Sequence, residues 1–377
     1  AEVLTVYHLF YSLWLPGLAL FEQACQALEA AGWANSNDAP LGQASQQTTL
    51  VHLQIFTGMF HFEMGHYRTS LALAEQALAA CRAFGEEEDL LLALLLYGRT
   101  QMRRGDHAEA KAALQEAFAL GTRLGLHHRC AEALNNLGMD ASNAGHYLEA
   151  QTYLRQALAL YQAIGYRPWT ARALTNLGTT FSRQYDYRQA LPYYEQALAI
   201  AKAEGDQIMI MINTSNIGGI QRGVGQHQLS LNYYQRSLTM ARNMREERWI
   251  AANLNGLATT YLEMNELTAA ERALQEALSA GQQSESTPDT LGSIALLGHL
   301  FARRGQIEHA LKALLFVEQH PSTMARDRLY NEPLLAELRG ELDARLFTQA
   351  EAWVTEQTLD DVAHWLAPSE ASFARLA

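Results

Sequence analysis

The chain has 377 residues, with 28 lysines and arginines against 40 aspartates and glutamates, for a formal charge of −12. That balance argues against nucleic acid, which needs a basic footprint. No run of about 18 apolar residues is present to span a membrane, and the apolar start Ala1–Tyr11 has neither a basic head nor a cleavage pattern, so it is not a signal peptide. Cys25, Cys81 and Cys130 are scattered through helical patterns, as expected of reduced packing thiols in a cytoplasmic protein.

Taken from its start, Ala1–Gly32 reads as a degenerate helical repeat, because Phe21–Leu28 aligns with Ala74–Leu78. Trp33–Gln47 is rich in Asn, Ser, Gln and Pro and predicts a surface loop. The chain thus opens inside a repeat, and more protein is expected before Ala1. From Thr48 a forty-residue unit recurs without insertion. The first two copies are apolar on both helices, and Leu90–Leu96 is apolar nearly all round, either deep core or an exposed wall. Three regular copies follow. The sixth (Glu247–Glu285) has Ala258 in place of a glycine, Gln282–Asp289 predicts a polar loop, and Leu291–His320 makes the seventh. After Pro321 the period stops. Met324–Gly340 and Leu342–Glu356 predict two more helices. Thr358 predicts the N-cap of a short last one, with Asp360 and Asp361 on its positive end.

Four register series support the unit. Gly58, Gly98, Gly138, Gly178, Gly218, Ala258 and Gly298 fall mid-helix, where glycine costs ~1 kcal/mol against alanine. A helix tolerates that where a neighbour comes too close for a side chain. Gly65, Gly105, Gly145, Tyr185, Gly225, Asn265 and Gly305 fall at the turn between the two helices, which needs left-handed backbone. Tyr185 is a poor residue there and predicts a strained or altered turn. Ser70, Ala110, Ala150, Ala190, Ser230, Ala270 and Ala310 keep the helix crossing small. Gly85, Gly125, Gly165 and Gly205 predict C-caps, a series lost at Arg245 and Glu285.

A period this long means stacked helix–turn–helix units. The pattern Leu137, Gly138, Gly145, Tyr147, Ala150, Ala157 resembles the tetratricopeptide (TPR) repeat in a longer forty-residue form. The resemblance covers about 48–321 and implies an all-α fold, a right-handed TPR superhelix (α-solenoid) with a helical C-terminal cap. The expected divisions are 1–47, 48–321 and 322–377. The tail, Leu346–Trp353 followed by Leu359–Ala363, resembles the ending of bacterial STAND-type ATPase regulators, although Val354–Gln357 stands where that ending usually has glycine. This implies the sensor or autoinhibitory arm of a larger bacterial signalling protein. A passive scaffold without a switch is the alternative.

Catalytic patterns are missing from the sequence: there is no phosphate-binding G-x-x-x-x-G-K-[ST], no H-E-x-x-H and no C-x-x-C. His127, His128 and Cys130 lie at an inter-repeat turn and lack a fourth zinc ligand. The reading is of a protein without enzymatic activity, metal or cofactor. The pairs Tyr193–Tyr194 and Tyr233–Tyr234 fall where the family packs aromatics between helices.

The resemblance implies that the first helix of each repeat lines a concave groove. The candidate lining residues are Arg99, Arg103, Asn136, Met139, Asn143, Asn176, Thr179, Ser182, Arg183, Asn216 and Arg222, with Gly223, Gly256 and Glu263 continuing the same register. An asparagine amide donates and accepts at once, which suits the backbone of an extended peptide. Arginines suit carboxylates. The other reading of the asparagines is that they satisfy polar groups between helices. The expected partner is a protein or peptide segment in the groove, or other domains of the same parent chain.

Overall fold

A computed structural model describes residues 43–367 apart from 64, 85, 285 and 324. The degenerate repeat, Cys25 and most of the expected polar loop lie outside the described residues. The described residues form seventeen α-helices and no strand.

The helices follow the forty-residue register. The first helices of repeats one to seven are α1 (Gln43–Glu63), α3 (Glu87–Arg104), α5 (His127–Asn143), α7 (Arg167–Arg183), α9 (Gln207–Gly223), α11 (Glu247–Glu263) and α13 (Thr287–Arg303). Their second helices are α2 (Tyr67–Phe84), α4 (His107–Arg123), α6 (Tyr147–Ile164), α8 (Tyr187–Glu204), α10 (His227–Met244), α12 (Leu267–Gln283) and α14 (Ile307–Gln319). Beyond the period lie α15 (Ala325–Glu341), α16 (Ala344–Thr355) and α17 (Leu359–Leu366). Two boundaries differ from expectation. α1 starts at Gln43, inside the stretch read as loop. The loop read over Gln282–Asp289 is only a turn, because Ser286 and Asp289 bond to each other and Pro288 falls in the first turn of α13, where its missing N–H costs nothing.

The glycine series has the cause read from it. A Cβ on Gly98 would stand 2.7 Å from Leu114 Cγ, on Gly138 2.5 Å from Leu154 Cγ, on Gly178 2.9 Å from Tyr194, and on Gly298 2.8 Å from Leu314. The small series sits at 0% exposure, and two of its members also bond: Ser70 with Thr100 at 3.1 Å and Ser230 with Thr260 at 3.2 Å.

The turns are left-handed throughout, and Tyr185 does not alter its own. Its φ is +60°, its N–H donates to Ser182 O at 3.0 Å, and Asp186 N–H donates to Phe181 O at 3.0 Å, the bonds that the Gly105 turn makes. The Cβ penalty is therefore borne in place. The C-cap series also persists past its last glycine, since Arg245 takes φ +57° and closes α10 with the same pair of bonds.

The described residues fall into two compact units. One runs to Ala141 and includes Leu148–Gly165; the other takes Ser142–Tyr147 and everything from Tyr166 onward. In the first, Leu91, Leu94, Leu95 and Leu96 are all within 1% of full burial, packed with Ile55 and Leu114, so the leucine-rich helix is deep core. In the second, one apolar cluster runs from Met211 to Leu366 and takes in Leu254, Leu274, Leu297 and Leu314. α17 opens with Thr358 and Asp361 capping one another, as the sequence predicts. It is pinned by Trp365, whose ring lies 4.8 Å from Trp353 and 5.0 Å from His309.

Candidate functional site

In the second unit the first helices of successive repeats touch one another, and each is also covered by second helices. Only a narrow stripe stays accessible, at helical spacing. On α7 it is Arg172, Asn176, Thr179 and Arg183; on α9, Ile212, Asn216, Gly219 and Arg222. On α11 it is Ala252, Gly256, Thr259 and Glu263; on α13, Gly292, His299 and Arg303. These stripes make one wall of mostly polar and small residues, Ile212 apart, with four arginines and one glutamate.

The predicted residues divide between the units. In the first, α3 carries Arg99 and Arg103 and α5 carries Asn136 and Met139. Arg99 is buried, its guanidinium 4.3 Å from the Phe62 ring centre and 2.6 Å from Glu63 Oε1. Arg103 lies 5.9 Å over the same ring. Both arginines are thus gathered over Phe62, and Arg99 ties α3 to α1. Asn136 is 9% exposed and its Nδ2 has no acceptor, an unusual state for a buried amide. Met139 is half-buried beside it on the same face.

In the second unit, Arg183 donates to Asn143 Oδ1 at 2.7 Å and to Ser142 Oγ at 2.9 Å. Asn143 therefore holds Arg183. Thr179 accepts a hydrogen bond from Tyr194 at 3.1 Å and donates to Thr175 O at 3.0 Å. Tyr194 is buried, and burial pushes its hydroxyl pKa up to about 12, so it remains a donor. Arg222 is ion-paired with Glu263, the glutamate one repeat on. Asn176 and Asn216 are both half-buried on the stripe. Asn216 makes no hydrogen bond among the described residues, so its amide faces the wall with both capacities open.

The asparagine row ends at Gly256 for a steric reason. The Tyr234 ring from α10 occupies the space where a Cβ on Gly256 would stand, 2.4 Å from Cε1. The Tyr187 ring likewise fills the place of a Cβ on Gly223, at 2.3 Å. Tyr194 and Tyr234 are buried, as the aromatic-packing reading of those pairs expects.

Sequence reasoning did not name Arg172, Ile212, Gly219, Ala252, Thr259 or Gly292 on these stripes, and it missed four residues at the far end of the wall. His299 and Arg303 lie on its register but past the regular repeats. Tyr330 and Asn331 come from α15, outside the period. Asn331 is fully buried and accepts from His299 Nε2 at 3.0 Å, and the Tyr330 ring lies 4.6 Å from the His299 ring. Burial, with Arg303 nearby, holds His299 below its usual pKa and keeps it neutral. Arg303 donates to the Leu262 carbonyl. Among the described residues no cluster of three His, Cys, Asp or Glu could hold a metal, and no helix is long and apolar enough to cross a membrane.

No curated protein matches the sequence. Among solved structures, a Rap protein complexed with Competence and Sporulation Factor is 13% identical, aligning over 97% of this chain and 99% of its own at a TM-score of 0.66. NprR in complex with its cognate peptide NprX is 15% identical, over 91% of this chain and 96% of its own at 0.61. A STAND protein with a tetratricopeptide repeat sensor from Pyrococcus horikoshii is 14% identical, over 81% of this chain and 45% of its own at 0.49, too low a score to carry weight. At these identities the likeness is one of fold. The tetratricopeptide repeat family matches residues 129–203 and 209–283. Those residues are tetratricopeptide repeats, a protein-interaction fold, in an all-α array whose forty-residue register holds from α3 to α14.

Proposed function

We propose that the wall formed by α7, α9, α11 and α13 binds an extended peptide or an extended segment of a partner protein. The observation that carries this reading is Asn216: a half-buried amide on the accessible stripe, with no internal partner. A peptide group offers one acceptor and one donor, which match it. The two similar structures named for a peptide or factor in complex, at TM-scores of 0.66 and 0.61, support the same use of the fold. The sequence-predicted arginines take a different part: Arg183 and Arg222 brace neighbouring repeats and set the charge of the wall.

We infer a sensor or autoinhibitory arm of a larger bacterial signalling regulator as the setting, with ligand capture shifting a closed–open equilibrium. This rests on the tail, whose sequence Leu346–Trp353 followed by Leu359–Ala363 resembles the ending of such regulators. A plain adaptor without a switch is the competing role.

The test is affinity capture from host lysate with mass spectrometry, using the wild-type chain beside Asn216→Ala. Capture of a partner that the variant loses, with an unchanged melting temperature, supports the wall. Equal capture by both proteins moves binding elsewhere.

A further inference from the structure

The two halves of α15 are held very differently. Pro333 lies inside the helix. Its missing N–H leaves the Leu329 carbonyl without a helical partner, so the helix is weakest there. After Pro333, Leu335 and Leu338 are buried in the main apolar cluster of the second unit. Before it, Asn331 is the one buried residue of 327–332, while Leu329 and Tyr330 are 61% and 42% exposed.

The first half is therefore held by polar contacts. His299 Nε2 donates to Asn331 Oδ1 at 3.0 Å, the Tyr330 ring lies 4.6 Å from the His299 ring, and Arg328 Nη2 donates to the His320 carbonyl at 3.2 Å. Two of these three contacts fall on one imidazole. The anchor is also incompletely satisfied, since Asn331 Nδ2 and Arg328 Nε are buried without an acceptor among the described residues. Such donors regain water when the segment lifts, which lowers the cost of release.

We propose that 325–332 is a latch, hinged at Pro333, which closes on neutral His299 and is released when His299 takes up a proton. Arg303, one turn along α13, is the charged group that acts on His299, and it repels an imidazolium. Among the described residues, none of the elements packed on α13 (α11, α12, α14, α15 and α17) sets a carboxylate against His299 to receive that charge. Tyr330 is the titratable group that α15 places on it, and burial raises its pKa, so it stays a neutral phenol. Burial, with Arg303 adding to it, holds docked His299 below its ordinary value. The sign follows: docking is favoured fully above the free value near 6.5, and that advantage is lost as pH falls below it towards the docked value. One pH unit below the free value, the released fraction gains by up to about tenfold. Release withdraws Tyr330 and uncovers His299 at the end of the wall. The latch stands whether or not the wall binds a peptide.

His320, whose carbonyl holds Arg328, is a second histidine that burial keeps below its ordinary value, so a variant is needed to separate the two. The test is hydrogen exchange of the full chain at pH 7.5 and 5.5, read by mass spectrometry at residue level and expressed as protection over the intrinsic rate. Protection at 329–332 should fall several-fold, up to about tenfold, on acidification, while that at 337–341 holds. This comparison lies within the wild-type chain and needs no variant. His299→Gln keeps a donor for Asn331 and cannot titrate, so protection at 329–332 should be equal at the two pH values. Protection at 329–332 that does not change with pH in the wild type, or a fall shared by 337–341, overturns the latch. A fall retained in His299→Gln overturns His299 as the trigger and moves it to His320.

Discussion

The Tyr234 ring stands where a side chain on Gly256 would have to begin, 2.4 Å from that Cβ position. This is why the row Asn136, Asn176, Asn216 has no fourth member. An aromatic ring contributed by α10 is traded for an amide on α11. The substitution Gly256→Asn should destabilise by about 1–3 kcal/mol through overpacking, against a gain of at most ~1 kcal/mol from removing a helical glycine. Tyr234→Leu should rescue it, because Leu274 and Leu314 hold the same register position in later repeats. Urea melts of the single and double variants measure both effects. Additive losses would show that the ring does not set the limit.

Gly138 makes the same argument in the first unit. Leu154 Cγ stands 2.5 Å from its Cβ position and the Ala150 carbonyl 3.2 Å. One neighbour is a branched side chain with 0% exposure and the other is backbone, so neither yields cheaply. Gly138→Leu should cost at the upper end of ~1–3 kcal/mol or beyond it. A thermal melt unchanged from wild type would undo the close-approach account of the whole glycine series.

Tyr185 carries a left-handed φ of +60° at 65% exposure, touching Tyr187 edge-on at 6.3 Å between ring centres. A non-glycine residue in that region costs about 1–2 kcal/mol. Tyr185→Gly should therefore raise stability by up to about 1 kcal/mol, after allowing for the freer unfolded chain. A lower melting temperature would mean that the contact with Tyr187 outweighs the strain.

The repeat was legible because its causes are local and periodic. A mid-helix glycine, replaced once by Ala258, recurs every forty residues, and sixteen residues on stands the second-helix side chain that fills its place: Leu114, Leu154 and Leu314 opposite Gly98, Gly138 and Gly298, and Tyr194 opposite Gly178. The wall was legible only in its register. Arginines of that register are engaged by partners about a repeat away, Arg222 on the wall with Glu263 and Arg99 in the first unit with Glu63. A search for opposite charges offset by about one period would have found those pairs. Tyr234 limits the asparagine row by a contact between repeats that no single helix pattern contains. Tyr330 and Asn331 were out of reach for another reason: they follow Pro321, where the period stops and no register places α15 on the wall.

His107 ties the start of α4 to α5 in the first unit, its Nδ1 2.7 Å from the nearly buried Asp140 carboxylate. That hydrogen bond is the main cause of a raised His107 pKa, with the charges of Asp140 and Asp106 adding to it and burial opposing it. A folded-state pKa above the unfolded value near 6.5 fixes the sign. The bridge contributes fully below that unfolded value, and its contribution is lost as pH rises through the raised folded value. His299 and His128, whose values burial lowers, act in the opposite sense and lose stability as pH falls. The bridge is therefore isolated by difference. Melting temperatures of wild type and His107→Gln, measured from about pH 5.5 to 8.5, should differ most at the acidic end and converge at the basic end. A gap that stayed constant across that range would show that His107 packs against α5 without its charge mattering.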